Sequence, residues 1–275
     1  MRPRVMGILN VTPDSFSDGG QHLDPGAAVD HGRRLLADGA DILDIGGEST
    51  RPGATRPLVS EELGRVVPVI TRLADEGAVV SVDTMRSEVA RAALEAGARI
   101  VNDVSGGLAD PAILDVVADS DATYVLMHWR AHAHHMTGFT DYGPEGVVEG
   151  VRRELEDRLS ATDAAGIPRE RVVLDPGLGF AKLPAHNWEL LAGLDVLSGW
   201  GLPLLVGASR KSFLGQLLAV GGRPRAVDER EHAHAALTAL LATRGDVWGL
   251  RVHDVRATCD ALAVSEALTR HEEPR

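Results

Sequence analysis

The chain has 275 residues, 44% hydrophobic and 25% charged, enough to bury a sizeable core that is mostly aliphatic, since aromatics are 4%. A formal net charge of −12 argues against a general nucleic-acid binder, and the lone cysteine, Cys259, excludes an internal disulfide framework and a Cys-only zinc site. Cys259 reads as a packing residue. The apolar run Val5 to Leu9 is too short for a secretory signal, and nothing approaches the roughly 18 apolar residues of a membrane span, so a cytoplasmic protein is expected.

Short apolar runs bounded by turn residues predict strands buried on both faces. They fall at Arg4–Leu9, Asp41–Ile45, Ala78–Val82, Arg99–Val101, Thr123–Met127, Arg171–Leu174, Pro203–Gly207 and Val247–Val252. Helical patterns lie between them, at Pro25–Ala37, Ser60–Asp75, Arg86–Ala96, Pro111–Ala118, Glu145–Ala165, His186–Ser198 and Glu229–Ala242. A shorter helix starts from Lys211, and a last one runs from Val255 to about Thr269, with a frayed tail expected from His271. Asp24-Pro25, Ser60 with Glu61 and Glu62, and Asp110-Pro111 are helix starts. Gly39, Gly77, Gly97 and Gly166 are helix stops.

Strict strand–helix alternation predicts parallel strands joined by right-handed crossovers. The first choice is a (β/α)8 TIM barrel, an α/β fold, and the second a doubly wound open sheet. No low-complexity linker interrupts the chain, so 1–275 reads as a single domain. The segment after Asn10, Gly46–Val59 and His128–Pro144 are the long βα loops.

Each apolar run ends on polar residues: Asn10, Asp44 with Glu48, Asp83-Thr84, Asn102-Asp103, His128, Asp175, Ser209-Arg210-Lys211 and Arg251-His253-Asp254. In a barrel these ends converge on one face, where active sites are built, although each could instead cap its helix. Asp83, Asp175 and Asn102 suit a flat, donor-rich heterocycle, since a carboxylate accepts two parallel N–H bonds; a metal site is the alternative. Around Gly207 to Ser212 a small-residue turn carries two cations into a helix start, and Arg251 and His253 point to one side of the last strand. Together these suit an anion, unless the cations merely pair with Asp254 or Asp175. His132, His134 and His135 read as a solvated loop, leaving His128 for the rim.

Several blocks then carry a resemblance to the dihydropteroate synthase family of folate biosynthesis. They are Asn10 to Gly20 (NVTPDSFSDGG), Asp44 to Gly53 (DIGGESTRPG), Ser81 to Thr84, Val101 to Gly106, Leu126 to His128, Asp175 to Phe180 (DPGLGF), Gly207 to Phe213 (GASRKSF) and Arg251 to Asp254. His128-Trp129-Arg130 resembles actinobacterial members.

The resemblance implies that 6-hydroxymethyl-7,8-dihydropterin diphosphate and 4-aminobenzoate give 7,8-dihydropteroate and diphosphate. It implies pterin binding by Asp83, Asn102, Met127, Asp175 and Lys211. Asn10, Thr50, Arg251 and His253 would hold the diphosphate, with Asn10 also a ligand of Mg2+. Phe16, Thr50, Arg51, Pro52, Phe180, Lys211 and Ser212 would line the aminobenzoate slot. Asp83, Asp175, Lys211, Asp18 and Arg51 would serve catalysis, with the first two loops closing over the site. A homodimer is also implied. The rival readings are a methyl-tetrahydrofolate methyltransferase and a non-catalytic pterin-binding relative.

Overall fold

Eight aliphatic runs do form strands, and they close on themselves: β1 (Arg4–Asn10), β2 (Ile42–Gly46), β3 (Val80–Asp83), β4 (Ile100–Asp103), β5 (Thr123–Met127), β6 (Val172–Asp175), β7 (Leu204–Val206) and β8 (Val247–Val252). The computed structural model describes residues 2–12, 25–48, 56–131 and 136–272. Every neighbouring pair is parallel, and the order runs from β1 to β8 as a closed barrel. Arg4 to Gly7 pair with Gly249 to Val252, which excludes an open doubly wound sheet. The fold is the (β/α)8 barrel.

Side chains alternate between two environments along each strand. Leu43, Ile45, Val80, Val82, Val101, Leu126, Val172 and Leu174 point outward and pack with the helices in one large core. Met6, Ile42, Ile100, Val125, Val173 and Leu205 point inward and form a separate cluster inside the barrel. Two residues further along these strands stand Asp44, Asn102, Asp175, Met127 and Gly207. A polar layer therefore sits directly on an apolar plug.

The helices are α1 (Pro25–Ala37), α2 (Val59–Asp75), α3 (Ser87–Glu95), α4 (Ala112–Ala118), α5 (Gly146–Ala164), α6 (Pro184–Ala192), α7 (Leu194–Ser198), α8 (Ser212–Leu217), α9 (Glu231–Ala242) and α10 (Val255–Glu272). Four of them end at Gly39, Gly77, Gly97 and Gly166, all with positive φ as expected of helix stops. The carboxylate of Asp110 serves two starts, accepting from Ser87 N at 2.7 Å and Ala112 N at 3.3 Å.

Three helices differ from expectation. His186–Ser198 is not one helix: it starts at Pro184 and is broken at Gly193, whose φ of −101° and ψ of 22° leave the helical region. The helix from Lys211 begins at Ser212 and spans 6 residues, with Lys211 as its extended cap. The last helix continues to Glu272 rather than fraying at His271. Among the described residues no helix is long and apolar enough to cross a membrane.

Candidate active site

Three strands expected to stop before their carboxylates in fact run through them. Asp83 pairs in register with Gly46 and Asn102, and Asp175 with Met127. Strand geometry thus aims Asp83 and Asp175 into the mouth of the barrel, while Asp103, the last residue of β4, faces the other way.

Asp44 is the hub of the polar layer. Its side chain is fully buried and accepts from Ser81 Oγ at 2.6 Å, Asn102 Nδ2 at 3.1 Å and Arg251 Nε at 2.6 Å. Arg251 extends its other arm to Asp83, Nη2 to Oδ2 at 2.6 Å. One guanidinium therefore bridges two buried carboxylates from β2 and β3, a planar fork suited to this task. Burial pushes the Asp83 carboxyl up to about 7, against the pull of Arg251. The partners earlier considered for this cation, Asp254 and Asp175, are not the ones it bonds.

Across the mouth stands the second acid. Asp175 is raised by burial, while the Gly177 N–H at 2.7 Å and the nearby Lys211, Arg251 and Lys182 favour its charge. Lys211 is pulled down to about 8 by burial and by Arg251. Its Nζ lies 4.0 Å from the centre of the Phe180 ring, a cation–π contact. Asp83, Asn102, Met127, Asp175, Phe180, Lys211 and Arg251 line a single cavity, with Val104, Leu178 and Gly207. Met127, Phe180 and Val104 give it an apolar lining, and Asp83 and Asp175 give it hydrogen-bond acceptors. Such a slot fits a planar ring carrying N–H donors.

His253 lies beside this cavity. Ser209 Oγ accepts the His253 backbone N–H at 3.2 Å and faces the ring Nδ1 at 3.0 Å. A hydroxyl that donates to Nδ1 leaves the ring proton on Nε2, available to an incoming oxygen. Burial, then Arg210, Arg251 and Lys211, push His253 down to about 3. It therefore offers a neutral donor where a cation was expected. The adjoining turn is strained, with Arg210 at φ 61°, and Arg230 Nη1 holds the Arg210 carbonyl at 2.7 Å.

The structure sorts the expected residues plainly. Seven converge on the cavity, as named above. Asn10 ends β1, half-buried, with no side-chain hydrogen bond to a described residue. Ser212 is exposed at the first turn of α8 and does not line the cavity. Phe16, Asp18, Thr50, Arg51 and Pro52, like His132, His134 and His135, lie outside the described residues.

Some strand-end residues serve the scaffold. Asp103 points away from the cavity and accepts from Ser105 N, Ser105 Oγ, Gly107 N and Tyr124 Oη at 2.7–2.8 Å. Thr84 donates to the buried Glu62, which Arg86 meets at 3.1 Å while also holding the Pro57 carbonyl. Asp254 caps α10 through Ala257 N at 2.9 Å. His128, assigned to the rim, is instead buried behind the site between Glu154 and Lys182, and burial holds it near 4. Lys182 and Asp44, which the sequence pattern does not single out for a role, both make buried contacts here. The strict period of two, counted from Ile42, would have placed Asp44 inside the barrel.

The pterin binding enzyme family matches residues 6–253, from within β1 to just past β8. The dihydropteroate synthase of Mycobacterium leprae (strain TN) is 53% identical over 266 residues, which cover 95% of this chain and 92% of that protein. The chain belongs to the dihydropteroate synthase family.

Solved members of that family share the geometry as well as the sequence. A Xanthomonas albilineans dihydropteroate synthase with 4-aminobenzoic acid superposes with a TM-score of 0.87 at 50% identity, covering 98% of this chain and 93% of that one. The enzyme from the same organism in complex with 7,8-dihydropteroate gives 0.84 at 47% identity, covering 98% and 94%.

Proposed function

We infer that the protein condenses 6-hydroxymethyl-7,8-dihydropterin diphosphate with 4-aminobenzoate, giving 7,8-dihydropteroate and diphosphate. The observation that carries this is the convergence of Asp83, Asn102, Asp175, Lys211 and Arg251 on one cavity. The family and its ligand-bound members point the same way. A methyl-tetrahydrofolate methyltransferase has no need of Lys211, Arg251 and His253 facing a diphosphate.

The proposed roles follow the local chemistry. Asp83, Asn102 and Asp175 accept or share the pterin's N–H bonds, with Met127 packing on its face. Arg251 and the Nε2–H of His253 receive the diphosphate. Phe180 and Lys211 form a wall of the aminobenzoate slot, and Ser212 at the first turn of α8 flanks it. Phe16, Asp18, Thr50, Arg51 and Pro52 complete the site by closing over it and excluding water.

The bond from the pterin methylene to oxygen breaks first, its electron pair leaving with the diphosphate. Positive charge on the methylene is stabilised by the carboxylates of Asp83 and Asp175. Aminobenzoate nitrogen, neutral near pH 7, then forms the new C–N bond and releases a proton. No protein nucleophile takes part.

Mg2+ is the cofactor proposed here. The Asn10 side chain suits it, because a half-buried amide oxygen with no competing hydrogen bond among the described residues is a hard donor. Mg2+ takes few protein ligands and completes its shell with water and phosphate oxygens, so one amide suffices. When bound it would neutralise charge on the diphosphate.

The protein is further proposed to act as a cytoplasmic homodimer. Leu240 on α9 and Val264 and Leu268 on α10, two helices packed together, are 70%, 68% and 62% exposed and form an apolar surface for a second copy. Sedimentation as a monomer at micromolar concentration would end that part of the reading.

Mixing the purified protein with pterin diphosphate, aminobenzoate and Mg2+ tests the activity. Diphosphate release that depends on aminobenzoate, with dihydropteroate as product, is expected. Asp83→Asn should stay folded and lose roughly tenfold or more in turnover, the scale of one lost charge-assisted contact. Near-normal turnover would refute its stabilising role.

A further inference from the structure

We propose that Lys182 is a positioning residue for the aminobenzoate wall: set beneath the loop after β6, it fixes the backbone at Phe180 and so the Phe180–Lys211 pair. This rests on the assignment of that wall given under the proposed function.

The loop from Asp175 to Lys182 is tightly wound. Gly177, Gly179 and Ala181 have φ of 67°, 77° and 47°. An alanine in the left-handed region is costly and persists only where its surroundings dictate it. Two side chains below the loop supply that restraint at consecutive carbonyls. Lys182 Nζ donates to Phe180 O at 3.1 Å, and Tyr142 Oη donates to Ala181 O at 3.1 Å. From the far side Asn187 Oδ1 accepts Gly179 N at 2.6 Å. A Cβ on Gly177 would overlap the His128 carbonyl, so the loop rests directly on the end of β5.

Lys182 is itself held. Its Nζ lies 2.9 Å from His128 Nδ1, and His128 Nε2 lies 2.9 Å from Glu154 Oε2. Arg130 meets Glu154 at 2.5 Å and stacks 3.7 Å from the centre of the Tyr142 ring. Neither Lys182 nor these four partners lines the cavity. Their shared effect is on the loop whose other face carries Phe180. That ring is the seat of Lys211 Nζ, and Gly179 packs against the Lys211 stem. A lapse in the loop would therefore move the wall while leaving Asp83, Asn102 and Arg251 in place.

The charges facing Lys182 come from several elements. Asp175 on β6 and Glu154 on α5 favour the ammonium, while Arg130, Lys211 and burial oppose it, leaving Lys182 near 7. His128 is neutral and so can accept from it, and burial pushes the Tyr142 phenol well above its ordinary value, so it remains protonated. The ammonium that clamps Phe180 is accordingly lost as pH rises through neutrality.

The test is steady-state kinetics of the full-length enzyme with each substrate varied, across pH. Lys182→Met should raise the KM for aminobenzoate roughly tenfold, the loss of one charge-assisted bond, and leave that for pterin diphosphate within about twofold. In the unmodified enzyme the aminobenzoate KM should begin to climb as pH passes neutrality, and in Lys182→Met the onset should move up to that of Lys211, near 8. Tyr142→Phe, which removes only the bond to Ala181 O, should move the aminobenzoate KM in the same direction by a smaller factor, and it decides the matter should Lys182→Met fail to fold. Equal changes in both KM values, or none, in a folded variant would overturn the positioning role. Failure of the unmodified enzyme to form dihydropteroate would instead strike the reading of the active site.

Discussion

Replacing Arg251 with leucine should reveal how much of the fold leans on one guanidinium. Its bonds to Asp44 and Asp83 are both 2.6 Å, and the carboxylates are 0% and 8% exposed. Removing one partner of a buried pair costs about 3–5 kcal/mol, because the remaining charge stays uncompensated. For a chain of this size that is a fall of roughly 6–10 °C in Tm. Calorimetry of the ligand-free protein at several pH values is the assay. Asp83 is already pushed up from its ordinary 3.8 to about 7, and without Arg251 it moves higher. A carboxyl raised in the folded state contributes stability that is complete below the unfolded value and lost as pH climbs through the folded one. The part of the deficit that comes from Asp83 should therefore be small near pH 5 and grow as pH climbs through neutrality, on top of the part left by the unpaired Asp44. Asp83→Asn in the same background should recover part of it. A Tm within about 2 °C of the parent at every pH would refute the pairing as a stabilising element.

Three other outcomes follow from particular contacts. Asp103→Asn should cost about 2–3 kcal/mol in urea unfolding, since an amide cannot accept from four donors, while kcat per folded molecule holds. His253→Ala should weaken binding of pterin diphosphate by about 1–2 kcal/mol in titration calorimetry, and His253→Asn by less, because a neutral N–H and not a charge is what His253 offers. Gly177→Ala should displace the β6 loop, as its φ of 67° and the His128 carbonyl both oppose a side chain, and lower Tm by roughly 2–6 °C.

The barrel was legible because its evidence is repeated: eight aliphatic runs punctuated by turn residues leave few other topologies. Strand ends were less so. Asp83, Asp103 and Asp175 look like residues that follow strands, yet all three are last members of the ladder. Asn102 and Asp103 look equivalent in sequence, but alternation sends one into the cavity and the other among the helices. Glu62 reads as an acidic residue of a first helical turn and is fully buried against Thr84 and Arg86, a pairing only tertiary contact creates. Lys182 carries no local signal, since nothing in its neighbours foretells burial against His128, 54 residues away. Helix α7 split off because a single Gly193 sufficed to stop the turn before it.

The bridge from Arg251 reaches back 207 residues to Asp44 and 168 to Asp83. A ribosome making this chain delivers both acids long before their cation. Until the final strand has emerged and slotted between β7 and β1, the barrel is not closed and Asp44 and Asp83 lack the cation that bridges them. Competence to bind thus arrives with the last strand to be synthesised, so that an unfinished protein should not sequester the metabolites it is meant to join.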